Sequence, residues 1–137
     1  MKKTFFTGLL LVALMGINIS STIPEENTSL ADQVVGIYKG KMRNPTVDKN
    51  NHKIKITKIN DTKIKIQPKT GNQSQTMEVE LEAQTMGSVT VIKFKLPGDH
   101  LLNNGMYAEA NGRLSYAVHL GGNDPRNIEV FSGKKLE

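Results

Sequence analysis

HKIKITKINDTKIKIQPK, residues 52–69, decides the fold. Ile54 and Ile56 alternate with Lys53 and Lys55, Ile64 and Ile66 alternate with Lys63 and Lys65, and Asn60-Asp61 stands between the two runs. Alternate side chains of a strand leave opposite faces, so each run has one apolar and one charged face. Turn-forming residues between two such runs make a hairpin. A three-residue loop, Ile59-Asn60-Asp61, sets Ile56 across from Ile64 and Ile54 across from Ile66, whereas a two-residue turn at Asn60-Asp61 sets Ile56 against Lys65. The first register is expected, because a slip of one residue turns every isoleucine to water. It also predicts Lys55 opposite Lys65, a mildly unfavourable contact.

The next run relieves that contact. Between residues 75 and 83, Met77, Val79, Leu81 and Ala83 take the apolar parity, and Glu78, Glu80 and Glu82 fall outside beside the lysines. Opposite charges paired across strands contribute roughly 0.2–1 kcal/mol each. The lysines therefore read as a solvated, charge-balanced outer face that also discourages edge-to-edge association. The hairpin lacks the exposed aromatics on which bases stack, which argues against nucleic acid as a partner.

The same two-residue period continues from Gln33 to the end, with no internal repeat and no gap patterned as a long amphipathic helix. Eight strands are expected, at 34–42, 53–58, 62–68, 75–83, 88–96, 106–110, 114–120 and 127–132. Turn residues separate them: Asn44-Pro45, Asp48-Lys49-Asn50-Asn51, Asn60-Asp61, Thr70-Gly71-Asn72, Met86-Gly87, Pro97-Gly98-Asp99, Asn111-Gly112, and Gly121 through Pro125. Connections this short join antiparallel neighbours. Closing such a meander removes its exposed edges, so the expected fold is all-β, an eight-stranded antiparallel up-and-down barrel, with a two-sheet sandwich as the alternative.

The inward parity is expected to hold Ile37 or a neighbour, Ile54, Ile56, Ile64, Ile66, Met77, Val79, Leu81, Ile92, Phe94, Leu96, Met106, Ala108, Ala110, Leu114, Tyr116, Val118, Leu120, Ile128 and Val130. For the hairpin near the end, a three-residue loop Asn111-Gly112-Arg113 sets Ala108 across from Tyr116 and Met106 across from Val118. A type I′ turn at Asn-Gly would instead pair Tyr107 with Tyr116.

Ahead of the barrel, Lys2 and Lys3 precede an uncharged apolar run at residues 4–17. This is a secretory signal pattern, shorter than the roughly 20 residues that span a bilayer as a helix. The expected organisation is a signal peptide at 1–21, a flexible polar leader at 22–32 and one barrel domain at 33–137. The mature chain would be exported, periplasmic or extracellular, with no transmembrane segment left after cleavage. The chain has no cysteine, which excludes disulfides, thiol lipidation and thiolate metal sites. Without Lys2 and Lys3 its formal charge falls from +5 to +3.

No constellation for catalysis emerges. His52, His100 and His119 lie far apart, without a second ligand at metal spacing, and His119 is expected on the wet side of its strand. The Glu78, Glu80 and Glu82 row belongs to a convex wall without a cleft. The oxygen-rich stretches Asp48 to Asn51 and Asn123-Asp124 lack a calcium-loop pattern and read as turns. The protein is therefore expected not to be an enzyme, with no cofactor and no metal.

An eight-stranded barrel is either filled by its own side chains or holds one small ligand. Its aliphatic interior would suit a small apolar ligand, with Tyr38, Phe94, Met106, Tyr116 and Val118 lining the cavity and Leu101 and Leu102 as a lid. Those two leucines lie in a connection, either tucked under it as a plug or exposed as a contact point. The alternative function is a cell-envelope interaction or assembly subunit that binds a protein partner through its loops or outer face.

Val35-Gly36-Ile37-Tyr38-Lys39-Gly40 at the start of the first strand, the eight-strand meander, and the ending Asn127-Ile128-Glu129-Val130-Phe131-Ser132-Gly133-Lys134 resemble the lipocalin-like (calycin-like) barrels exported by Bacteroidetes-type bacteria. Lipocalins carry Gly-x-Trp where this chain has Gly36-Ile37-Tyr38. The resemblance implies a closed barrel and, in the broadest sense, binding of small apolar molecules.

Overall fold

The computed structural model describes residues 28–69 and 76–137. The signal stretch, the first part of the leader and the 70–72 turn lie outside the described residues. Eight strands form one closed barrel in which every neighbour is antiparallel and sequential: β1 (Gly36–Arg43), β2 (Asp48–Asn60), β3 (Lys63–Pro68), β4 (Met77–Met86), β5 (Val89–Lys95), β6 (Asn104–Ala108), β7 (Arg113–His119) and β8 (Ile128–Lys135). β8 closes on β1 from Tyr38↔Lys135 to Arg43↔Val130, so neither edge is left open. The barrel, not the sandwich, is the fold.

The isoleucines of the deciding hairpin all face the core: Ile54, Ile56, Ile64 and Ile66 are fully or almost fully buried. Each such burial contributes roughly 1.5–3 kcal/mol. Their register differs from expectation, with Ile56 opposite Ile66, Ile54 opposite Pro68 and Lys58 opposite Ile64. The slip is two residues, so no side chain changes face. Its cause is local. The Asn60 side chain accepts the Thr62 N–H at 3.0 Å, which tightens the turn to Asp61-Thr62, and a bulge at Ile59 absorbs the residue left over. Lys55 and Lys65 consequently do not meet, since Gln67 and Thr57 stand opposite them. Across the next seam Lys63 pairs with Glu80 and Lys65 with Glu78, the expected charge match.

Residues 48–51 are not a turn. The β1–β2 turn is closed earlier, where the Asn44 side chain accepts N–H groups from Thr46 and Val47 at 3.0 and 2.8 Å. β2 then runs through 48–51 with a register shift opposite Gly40 and Met42, and Asn51 adopts φ 61° there.

Two strands turn the opposite face inward from that expected. In β6, Tyr107 is buried and Met106 is 41% exposed; in β8, Phe131 is buried and Val130 is 46% exposed. The β6–β7 connection is four residues, a 3₁₀ turn at Glu109–Asn111 closed by Gly112 at φ 61°, so Ala108 faces Arg113 and Tyr107 faces Leu114. Neither shorter loop occurs. The larger aromatic burial decides both strands, and glycine makes it possible. Gly105 lies between Phe94 and Tyr116, where a methyl group would collide with the Phe94 ring and stand 2.9 Å from Tyr116 Cβ. Ala108, Ala110, Leu120 and Ile128 likewise leave the core, and Ala83 is exposed near the end of β4. In β1 the inward residues are Tyr38 and Met42, with Ile37 only half-buried.

The last leader residues are not loose. Leu30–Val34 is a short helix, α1, capped by Ser29, whose hydroxyl accepts the Asp32 N–H while the Asp32 carboxylate accepts from the Ser29 N–H. Ala31 and Val34 are fully buried, the Ala31 N–H donates to the Asp61 carbonyl at 3.0 Å, and Lys58 reaches Asp32 at 3.0 Å. α1 thus packs on the β2–β3 turn and belongs to the barrel core. Strand alternation gathers α1 and the 61–62, 87–88 and 109–112 turns at one end, the helix end. The 44–47, 96–103 and 120–127 connections form the other, the loop end.

Candidate functional site

The lumen residues expected to line a cavity separate into two groups. Tyr38, Phe94, Tyr116 and Val118 are all buried inside. Met106 is on the outer wall, and Leu101 and Leu102 are exposed. The inner group fills space with its own rings. One row of paired positions, Phe94, Gly105, Tyr116, Phe131 and Met42, runs across β5, β6, β7, β8 and β1. Tyr116 stacks on Phe131 with centroids 5.5 Å apart, Phe131 meets the His52 ring edge-on at 6.1 Å, and Tyr38 meets Tyr107 at 6.2 Å and 87°. Such geometries contribute about 0.5–1.5 kcal/mol beyond area burial. The Tyr38 hydroxyl donates to the Val34 carbonyl at 2.6 Å, tying the helix end shut. Burial pushes the Tyr38 and Tyr116 phenols far above their ordinary range, and it holds the His52 imidazole below 6.5.

The loop end carries a more specific arrangement. Asn103 is buried, its amide donates to the Pro97 carbonyl at 2.8 Å, and its side-chain oxygen accepts the His119 N–H at 2.8 Å. One side chain therefore ties the β5–β6 loop to the end of β7. His100 and His119, distant in sequence, stack at 4.5 Å and 8°. His100 Nδ1 accepts the Leu102 N–H at 3.2 Å, and His119 Nδ1 accepts the Gly121 N–H at 3.2 Å. An imidazole nitrogen that accepts carries no proton, so the remaining His119 nitrogen, Nε2, donates to the Asp124 carbonyl at 2.9 Å. His119 is thus half-buried and engaged on both nitrogens. Among the described residues no three His, Cys, Asp or Glu side chains stand together as a metal site.

This web fixes the backbone on either side of the leucine pair. Leu101 is 95% exposed and Leu102 46%, with Leu120 of the adjoining loop at 45%. The plug arrangement does not occur, because the inward place in the loop is taken by Asn103, two residues past Leu101. The stack and the Asn103 tie escaped sequence reasoning. The available signal was a pair of asparagines directly after exposed leucines, residues able to bond a loop to itself.

At the helix end a pocket of about 380 Å³ opens at the rim, lined by Ser88, Val89, Thr90, Glu109 and Ala110. These residues come from the 87–88 turn, the exposed start of β5 and the 3₁₀ turn, not from the lumen. Among the described residues no helix is long and apolar enough to cross a membrane.

The class defined so far is a small antiparallel β-barrel of eight strands, compatible with a lipocalin-like fold. Compared with family models, curated proteins and solved structures, the chain matches none of them.

Proposed function

We propose that this is an exported, non-enzymatic binding protein of the lipocalin-like (calycin-like) Bacteroidetes type that acts in the cell envelope as an interaction or assembly subunit, docking a protein partner through its loop end. The observation that carries the reading is Leu101, an almost fully exposed leucine on a loop held by the buried Asn103 and the two stacked histidines. Apolar side chains presented on an ordered backbone lose little conformational entropy on binding, which favours a docking role. The aromatic packing of the lumen weighs against an internal apolar ligand, the other reading of this barrel, because Phe94, Tyr116 and Phe131 already occupy its middle.

A photocrosslinking residue placed at position 101, with position 93 on the outer wall as control, tests this in the source cells. The expected result is a discrete adduct with one envelope protein from position 101 only, abolished by Leu102→Ser. Equal or absent labelling from both positions would contradict it. Native mass spectrometry of the protein from its source would expose a co-purified lipid and so favour the ligand reading.

A further inference from the structure

We infer that the outer wall around the β1–β8 seam binds a linear acidic polysaccharide, a chain carrying a carboxylate or sulfate on successive sugars. Lys53, Lys39, Lys134 and Arg113 are consecutive pairing partners across β2, β1, β8 and β7. Their chain neighbours Tyr38, Ile54, Leu114 and Gly133 are buried on the inner side, which places these four side chains outside. Adjacent strands lie about 4.8 Å apart, so the four cations form a line of roughly 14 Å.

This row differs from the lysines of β3. Lys63 and Lys65 stand opposite Glu80 and Glu78. Among the described residues, Lys39, Lys53 and Lys134 have no carboxylate partner, and the Arg113 guanidinium donates to the Ser132 hydroxyl at 3.2 Å rather than to an acid. Asp48 on the same wall is engaged by Lys41 at 3.4 Å and Arg43 at 3.1 Å. Toward the loop end the next row runs Lys41, Ser132, Ser115 and Met106; toward the helix end Lys55 pairs with Ile37. Neither adds an acid. Like charges directly opposite each other are destabilising, so the row repels itself until an anion lies along it.

Shape and chemistry select the anion. The row follows the circumference over four of the eight strands, so its cationic heads fan across a convex wall. A flat lipid surface meets them unequally, whereas a flexible chain follows the curve. Single-stranded nucleic acid is held by bases stacked on exposed rings, but Tyr38, Phe94, Tyr107, Tyr116 and Phe131 are all buried. Beside the cations, the Ser115 and Ser132 hydroxyls, 3.1 Å apart on the same wall, are suited to sugar hydroxyls. The inference is independent of the loop-end reading, which uses a different surface.

Calorimetric titration with polygalacturonate at low salt tests it, using the full mature chain. Wild type is expected to bind and to weaken as salt rises. Lys39→Gln/Lys134→Gln is expected to lose affinity by at least about tenfold, 1.4 kcal/mol. Lys63→Gln/Lys65→Gln, the same change in charge on the matched strand, is expected to bind as wild type does. Amide shifts of wild type on titration should centre on Lys39, Lys53, Arg113 and Lys134, a readout that needs no variant to fold. Equal loss in both variants, no binding by wild type, shifts centred elsewhere, or tighter binding of an oligodeoxynucleotide or of phosphatidylglycerol vesicles overturns the inference.

Discussion

Gly105 shows how a single residue sets the inside of this barrel. It faces inward between Phe94 and Tyr116, and the Phe94 ring lies where its Cβ would be. Overfilling a packed core typically costs 1–3 kcal/mol, so Gly105→Ala is expected to lower the urea unfolding free energy by about 1–3 kcal/mol without changing the slope. His52 gives a pH dependence with a definite sign. Burial holds its folded pKa below 6.5, so from 6.5 downward the unfolded chain binds more protons than the folded one. Stability therefore falls as pH drops from about 6.5 toward the depressed folded value and levels off below it. Glu129 opposes this shift without cancelling it. Urea titrations across that window should show the decline in wild type and a shallower one in His52→Gln.

Elements were legible where a strand alternates two strongly different residue types. The β2–β4 pattern of isoleucine, lysine and glutamate fixed both faces, and a two-residue slip in register left them unchanged. β6 and β8 were not legible, because Met106 and Tyr107, or Val130 and Phe131, are adjacent apolar residues and either parity buries one of them. What separates them is ring volume matched to Gly105 and Gly133, a tertiary fact. α1 was hidden because five residues carry too little period to register; its signal was the Ser29 to Asp32 capping box. That box also predicts behaviour. Hydrogen bonds from Ser29, and then from Lys58, hold the Asp32 carboxyl below 3.8. Their contribution is present above about 3.8 and is lost as pH falls through the lower folded value. Ser29→Ala removes a cap of a kind that contributes about 0.5–2 kcal/mol. The Ala31 amide, bonded to Asp61, should then lose hydrogen-exchange protection more than Ile54 does.

At the scale of the whole molecule, closure places the two proposed binding surfaces on separate parts of one barrel: apolar loop tips at one end, and an unmatched cationic row around the β1–β8 seam. Barrel closure was legible from eight short alternating segments, whereas the site was only partly so. Phe94, Tyr116 and Val118 were placed inside by parity, whereas the first strand's parity was left open between Ile37 and its neighbours, of which Tyr38 takes the inward place; periodicity says nothing of whether inward rings meet one another. The Leu101 side chain is almost fully exposed and lies outside the core, and exposed positions of that kind usually change stability by no more than about 0.5 kcal/mol. Leu101→Ser should therefore leave the thermal midpoint near wild type while removing the proposed loop-end interaction. Titration of the folded protein with the apolar fluorophore N-phenyl-1-naphthylamine tests the filled lumen most directly. No saturable fluorescence enhancement is expected; stoichiometric binding, with energy transfer from an inward ring such as Tyr116, would contradict a filled lumen.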